Sequence, residues 1–339
     1  MHLALVVLWT LPSNAPTKIS VPSSVLGIVL GITFAVLSII HHSRSVRPSG
    51  LLALYLIFSV LLDVAQARTL WLRRGNTTVA AVFTLTVALK VLVLPVVMLE
   101  KRLMLKTPYS EYPPEALGGM VNRGFFWWIN ALLVKGSSTR LEVECLFDID
   151  RKLTVEFLLP RFRPSWAVVK GKIAHALLLA VLRNFWVNIL FIAGFRFALI
   201  AFKFCQPLLI NRAISLLLEP DSQSKTNSGR ALIGATSLTY IGIALTTGMF
   251  RHNVYRLITM VRGSLIGMIY DKTLVLDALK AGDSAALTLM STDVERVANG
   301  FEVFDALWAA PVEVVIAMVL LYREIGLAFL VPVGITISN

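Results

Sequence analysis

Charged side chains are scarce in this chain, and their scarcity decides its class. Only 15% of the 339 residues are charged, 56% are hydrophobic, and the mean hydropathy is +0.74. A soluble domain of this size could not solvate so much apolar surface. The net charge of +12 therefore indicates cytoplasmic loops rich in Lys and Arg. It does not indicate nucleic-acid binding, which needs a folded basic patch that the sequence does not show.

Two further absences exclude kinds of site. The only cysteines, Cys145 and Cys205, lie in a basic linker and in an apolar run, so we predict neither a disulfide nor a metal site. No G-x-x-x-x-G-K-S/T sequence occurs, and Gly171-Lys172 is followed by Ile173 where that motif needs Ser or Thr. The chain by itself thus has no visible means of holding the phosphates of ATP, and we assign no catalytic residue.

Long apolar runs are what the sequence has in abundance. A helix needs about 20 mostly apolar residues to cross a bilayer. We predict crossings at 21–40, 51–67, 77–99, 186–217, 231–250 and 293–322. Residues 1–11 are too short to cross and are interpreted as an interfacial segment or the tail of a crossing. The predicted fold is therefore an all-α, polytopic membrane protein.

Asp63 and Lys90 are ionisable residues within two of these runs. At 1.5 Å per residue from their shared loop, Asp63 would lie about 6 Å deep and Lys90 about 20 Å deep. We therefore predict that the two do not pair. Asp63 would lie near the membrane interface, while Lys90 would extend to the interface or meet another helix.

A basic, proline-punctuated segment from about 100 to 172 interrupts the apolar runs, and its charge places it in the cytoplasm. It contains four consecutive aromatic residues, Phe125, Phe126, Trp127 and Trp128. Such a group suits the membrane interface. A hydrophobic anchor to a neighbouring domain is an equally open interpretation.

A turn-rich segment near 283–292 separates the last two crossings and would form a tip held away from the bilayer on helical arms. Thr292-Asp-Val-Glu295 fits a capping box, with Thr292 as the N-cap of the following helix. A tip of this kind is expected to contact another structure. The alternative is a cytosolic turn that only caps its own helices.

Four polar residues share one side of the crossing at 186–217. At 100° per residue from Arg196, Lys203 lies about 20° away, and Asn188 and Gln206 each lie about 80° away. Charged groups in a span normally face a bundle interior or a wet cavity. Two interpretations stay open: acidic partners on helices beyond this sequence, or a cationic wall of a substrate cavity.

Two motifs resemble the class C ATP-binding-cassette (ABC) transporters, the multidrug-resistance-associated family, in a fungal form. Phe125–Gly136, with Leu141-Glu-Val-Glu and Leu146–Asp150, is similar to the lasso linker that precedes the first transporter core. Gly282-Asp283, with Leu289–Arg296 and Leu307–Pro311, resembles the first intracellular loop and the helix that follows it.

The resemblance implies a division of the chain and its sites. It implies a partial N-terminal transmembrane bundle at 1–106, a cytoplasmic lasso linker at 107–172, and an incomplete ABC type-1 transmembrane domain at 173–339. A coupling loop near 282–292 would dock on a nucleotide-binding domain through Gly282, Asp283, Leu287, Leu289, Met290, Ser291, Thr292 and Asp293. The four aromatic residues would anchor the lasso, and Asn188, Arg196, Lys203 and Gln206 would line the substrate pathway.

The implied function is the transmembrane portion of an ATP-driven exporter of small molecules, with anionic or conjugated ones as the expected class. ATP, Mg²⁺, a nucleotide-binding domain and a second transmembrane half are implied for the complete transporter. We interpret this sequence as an N-terminal fragment that lacks them. It would be a multi-pass protein of the plasma or vacuolar membrane with no nucleic-acid partner. Two alternatives stay open: a non-transporting regulatory or anchoring module, and a non-functional truncated product.

Overall fold

The computed structural model describes residues 1–10, 18–72, 77–107, 109–171, 175–275 and 285–326. Every helix or strand element among these residues is a helix, which confirms the all-α class. The chain divides into two compact units, Met1–Asp150 and Arg151–Asn339. The segment predicted as a linker, 107–172, thus contributes to both units.

Unit 1 begins with a bundle of four helices: α1 (His2–Thr10), α2 (Ser20–Arg44), α3 (Gly50–Leu72) and α4 (Thr77–Met98). The predicted apolar segment at the N-terminus forms α1, which packs against α2 and α4. Leu5 and Trp9 of α1 are buried together with Val79 and Ala80 of α4. α1 is therefore a packed part of this bundle.

Asp63 and Lys90 form an ion pair, so the prediction against pairing is wrong. Lys90 Nζ lies 2.5 Å from Asp63 Oδ2 and also donates to Ser59 Oγ at 2.7 Å. The physical reason is the length of α3, which continues to Leu72 instead of ending near residue 67. From the true helix ends, Asp63 lies about 14 Å deep and Lys90 about 20 Å deep. A lysine side chain spans that difference.

The rest of unit 1 consists of short helices: α5 (Pro114–Leu117), α6 (Met120–Gly124) and α7 (Asn130–Ser138), with 3₁₀ turns between and after them. α5 is held against the α2–α3 loop, because Arg47 Nε donates to the carbonyl of Ala116 at 2.6 Å. Leu117 is fully buried. Nearby, burial lowers the pKa of Lys101, whose ammonium donates to the carbonyl of Ser45 at 3.3 Å.

Unit 2 contains longer helices: α8 (Val155–Val169), α9 (Ala176–Leu218), α10 (Gln223–Val275), α11 (Ala285–Thr288) and α12 (Val294–Ile325). α9 bends at Phe185, whose dihedrals (φ −109°, ψ 17°) leave the helical region one residue before the predicted crossing at 186. α10 is one helix about 80 Å long.

An apolar core joins α8, α9 and α10, and Val294 and Ala298 of α12 belong to it. Leu158 and Phe162, one turn apart on α8, pack with Val181 of α9 and Val261 of α10, and the latter two have no exposed surface. Gly267 lets the helices approach closely, since a Cβ there would lie 2.8 Å from a methyl carbon of Val155. These helices form one packed body.

Among the described residues, six helical stretches are long and apolar enough to cross a membrane. They are α2, α3, α4, α9, α10 and the stretch Ala285–Ile325. They match the six predicted crossings, with ends that differ by several residues. The polytopic fold is confirmed.

Candidate functional site

The tip between α10 and α12 is the first candidate site. Its described part is α11 followed by a π-helical turn, Leu289–Asp293, that runs directly into α12. Gly282 and Asp283 lie outside the described residues. The predicted capping box is wrong, because Thr292 lies inside continuous helix and has no helix terminus to cap. Asp293, the residue before α12, is itself helical and forms no side-chain cap.

The surface of the tip presents apolar side chains. Leu287 is 69% exposed and Leu289 is 44% exposed, while Met290 is half-buried. Ser291 Oγ donates to the carbonyl of Leu287 at 2.7 Å, which ties the π turn to α11. Exposed apolar side chains on a segment between the predicted crossings at 231–250 and 293–322 favour a contact with another protein surface.

The second candidate site is the contact of α12 with α9 and α10. All five acidic residues of α12 point toward a basic or amide side chain on one of those helices, and we call them the acidic ladder. They are Glu295, Glu302, Asp305, Glu313 and Glu324. Their separations of 7, 3, 8 and 11 residues place them within an arc of about 100° on one face of the helix.

The outer positions of the ladder make simple pairs. Glu295 lies 2.6 Å from Arg262, and Glu302 lies 3.5 Å from both Arg251 and Tyr255. At the other end, Asn211 Nδ2 donates to Glu324 at 3.0 Å.

The centre of the ladder holds the two predicted pathway cations. Arg196 Nε lies 3.2 Å from Asp305 and its Nη2 lies 3.1 Å from Glu313. Lys203 Nζ lies 4.0 Å from the same Glu313 oxygen. The acidic partners of both cations therefore lie on α12, within this chain. Sequence reasoning missed them, although the one-sided spacing of the acids on α12 was a visible signal.

Burial differs sharply within this central group. The side chain of Arg196 is 15% exposed and packs over the ring of Phe250 at 5.5 Å, whereas that of Lys203 is 46% exposed. Among the described residues, neither Arg196 Nε nor Glu313 Oε1 has an aligned hydrogen-bond partner, so these contacts are ion pairs with loose geometry. Arg196 is enclosed, and Lys203 faces open space.

The structure separates Asn188 from this group. Its amide points at the sulfur of Met260, 4.0 Å away. It lies in a groove of about 570 Å³ that Asn253 and Arg256 of α10 also line. Gln206 is half-buried near Lys203 on α9.

The aromatic residues Phe125, Trp127 and Trp128 of the linker make ring contacts. Phe126 has a positive φ of 56°, and this reversal lets Phe125 stack on Trp127 with ring centres 5.4 Å apart. Those two rings are 48% and 58% exposed. Trp128 is half-buried, with its ring 6.3 Å from that of Phe147. Phe125 and Trp127 are therefore exposed, whereas Trp128 is half-buried.

No group of three or more His, Cys, Asp or Glu side chains in the described part of the chain is placed to bind a metal ion.

No family model matches this sequence. It is 40% identical over 340 residues to ABC multidrug transporter B of Aspergillus fumigatus, an alignment that covers 99% of this chain and 23% of that protein. An ABC-type transporter of Gibberella zeae is 41% identical over 338 residues, covering 100% and 23%. ABC multidrug transporter lscH of Purpureocillium lilacinum is 37% identical over 341 residues, covering 98% and 22%.

The chain thus spans about a quarter of the length of these curated relatives. Its six long apolar helices agree with a protein embedded in a bilayer. The chain is an integral, multi-pass, all-α membrane protein that is related over its whole length to fungal ABC transporters.

Proposed function

We propose that this chain is part of the transmembrane region of an ATP-driven exporter of the class C type. The observation that carries the proposal is the tip, an apolar helical surface that follows a helix extending far beyond its predicted crossing. α10 continues unbroken for about 38 Å beyond the predicted end of its crossing at residue 250. On its other side the tip runs through the π turn directly into α12, so a push on the tip would be passed along that helix.

The chain's own residues do not fit ATP, because the sequence has no phosphate-binding glycine-rich loop. We therefore assign ATP binding and hydrolysis, with Mg²⁺, to a nucleotide-binding domain outside this sequence. That domain would receive the tip on its surface, with Leu287, Leu289 and Met290 as the apolar contact. Gly282, Asp283, Ser291, Thr292 and Asp293 would complete the docking segment.

The substrate pathway would run past the open side of the central ladder. Arg196 is neutralised by two carboxylates, so its role is to position α12 against α9. Lys203 is the more exposed cation and would contact an anionic or conjugated substrate. Gln206 would add a hydrogen-bonding group on the same side, and Asn188 would contribute from its separate groove.

The linker aromatics would serve as a membrane anchor. Phe125 and Trp127 form an exposed, stacked apolar surface in a basic segment, a combination that suits the interface of a bilayer. Trp128 would instead stabilise the fold of the linker itself.

The test needs a complete transporter. This chain can replace the matching 338 residues of the Gibberella zeae relative, and export and ATP hydrolysis can be measured in the same vesicles. We expect Leu289→Asp to reduce export at least tenfold while basal ATP hydrolysis continues, because a charge at the contact uncouples the tip. Leu289→Met keeps an apolar side chain and serves as the matched control.

Full export by Leu289→Asp would contradict the role of the tip. Failure of the unmutated graft to export any compound, despite a folded and ATP-hydrolysing protein, would contradict the proposed function as a whole.

A further inference from the structure

Glu313 occupies an unusual place in the ladder, because one carboxylate serves two cations on α9. Its Oε1 lies 3.1 Å from Arg196 Nη2 and 4.0 Å from Lys203 Nζ. The contact with Arg196 is the shorter one and is enclosed, whereas the contact with Lys203 is at the limit of an ion pair. The same oxygen is buried and has no aligned hydrogen-bond donor among the described residues.

These distances give the two contacts different strengths. Arg196 is only 15% exposed and has Asp305 as a second partner, so its position is fixed from two sides. Lys203 is 46% exposed, and a long ion pair in contact with water contributes about 1 kcal/mol or less. An anion that arrived from the open side could therefore replace Glu313 at Lys203 without disturbing Arg196.

We propose that Glu313 is an internal competitor, which pairs with Lys203 until an anionic ligand displaces it from that lysine. Once displaced, Glu313 pairs with Arg196 alone. Binding of the anion at α9 therefore changes the contact between α9 and α12 through this carboxylate. The ligand class is a small molecule with a carboxylate or a comparable anionic group and an apolar body. The inference rests on the proposed function and names the residue that sets its preference for anions.

The experiment uses the full chain in lipid nanodiscs and two fluorescent probes of the same shape, pyrenebutyrate and its uncharged amide. Binding to empty nanodiscs is subtracted. We expect Glu313→Gln to bind pyrenebutyrate three- to fivefold more tightly, because the competing charge is gone, and to bind the amide unchanged. Lys203→Met should lower the affinity for pyrenebutyrate to that for the amide.

The matched control is Glu302→Gln, which removes a carboxylate from the same face of α12 but one that pairs with Arg251. It should change the binding of neither probe. The double variant Lys203→Met/Glu313→Gln should bind both probes as Lys203→Met does, since the gain from Glu313→Gln requires the cation.

Weaker or unchanged binding of pyrenebutyrate by Glu313→Gln, or an equal change for both probes, would overturn the inference. If that variant fails to fold, Glu313→Asp replaces it. The shorter side chain withdraws the charge by about 1.5 Å, which lengthens both contacts and takes the longer one, to Lys203, farthest out of ion-pair range. A smaller gain in the same direction is then expected, and no gain would overturn the inference.

These outcomes are separate from the proposed function. Probe binding is measured on the chain itself, whereas export is measured on the graft. A graft that exports while Glu313→Gln leaves anion binding unchanged would remove the inference and keep the function. Tighter anion binding by Glu313→Gln, together with a graft that does not export, would keep the inference and contradict the proposed function.

Discussion

The two sides of α10 differ in how much of their packing is ionic. Toward α8 and α9 it buries a continuous set of apolar side chains around Phe162, Val181 and Val261. Toward α12 it shares part of that core, because Val294 and Ala298 of α12 are buried in it. On this side its arginines also meet a row of carboxylates, and Arg196 and Lys203 of α9 extend that row. Apolar contacts of native density have no alternative partners, whereas ion pairs can exchange them. We therefore expect α8, α9 and α10 to form one rigid body, with α12 held to it partly by ionic contacts that can exchange partners.

The largest expected effect comes from placing a charge in the apolar side. Val261 has no exposed surface, so Val261→Asp buries a carboxylate without a partner and should cost more than about 4 kcal/mol of stability. We expect the purified chain to lose its thermal unfolding transition or to fail to accumulate. Thr259→Asp, at an exposed position of the same helix, should change stability by less than about 0.5 kcal/mol.

An intermediate effect is expected at the centre of the ladder. Arg196→Met leaves Asp305 and Glu313 without their main cation. Breaking an enclosed ion pair lowers the free energy of unfolding by about 3 kcal/mol. Neutralising the partners as well, in Arg196→Met/Asp305→Asn/Glu313→Gln, should recover most of that loss. Thermal unfolding of the three-residue and single variants measures the recovery. No recovery would show that Arg196 acts through its apolar packing over Phe250.

The smallest effect is expected at the exposed end of the ladder. Arg262 and Glu295 are about half exposed, so their pair contributes about 1 kcal/mol or less and weakens with salt. Arg262→Glu should destabilise the chain slightly, and Arg262→Glu/Glu295→Arg should restore it. A swap that restores nothing would mean that the pair has no role in holding α12.

The apolar runs were sufficient to predict the six crossings and the all-α fold, because bilayer thickness sets their length. Helix ends were harder, and that error hid the pair of Asp63 and Lys90, since α3 continues through polar residues to Leu72. The π turn at Leu289–Asp293 inserts an extra residue into a helix, which removed the expected cap at Thr292.

The partners of Arg196 and Lys203 could be found only in part from the sequence. The acids of α12 fall on one face, and this periodicity was available beforehand. Which acid meets which base depends on the register of α12 against α9 and α10, and the sequence alone does not give that register. The ion pairs in the structure show it directly.

From the ionic contacts on one side of α10 we expect α12 to move relative to α10 during transport, while α9 and α10 stay together. The most direct measurement is the distance between pairs of spin labels in a cysteine-free graft, with and without trapped nucleotide. One pair joins α10 to α12 at Thr259 and Asn299, and the other joins α9 to α10 at Trp186 and Thr259, all at exposed positions. We predict a change of about 5 Å or more in the first distance, close to one helical turn, and less than about 2 Å in the second. Equal changes in both distances, or none in the first, would contradict the account.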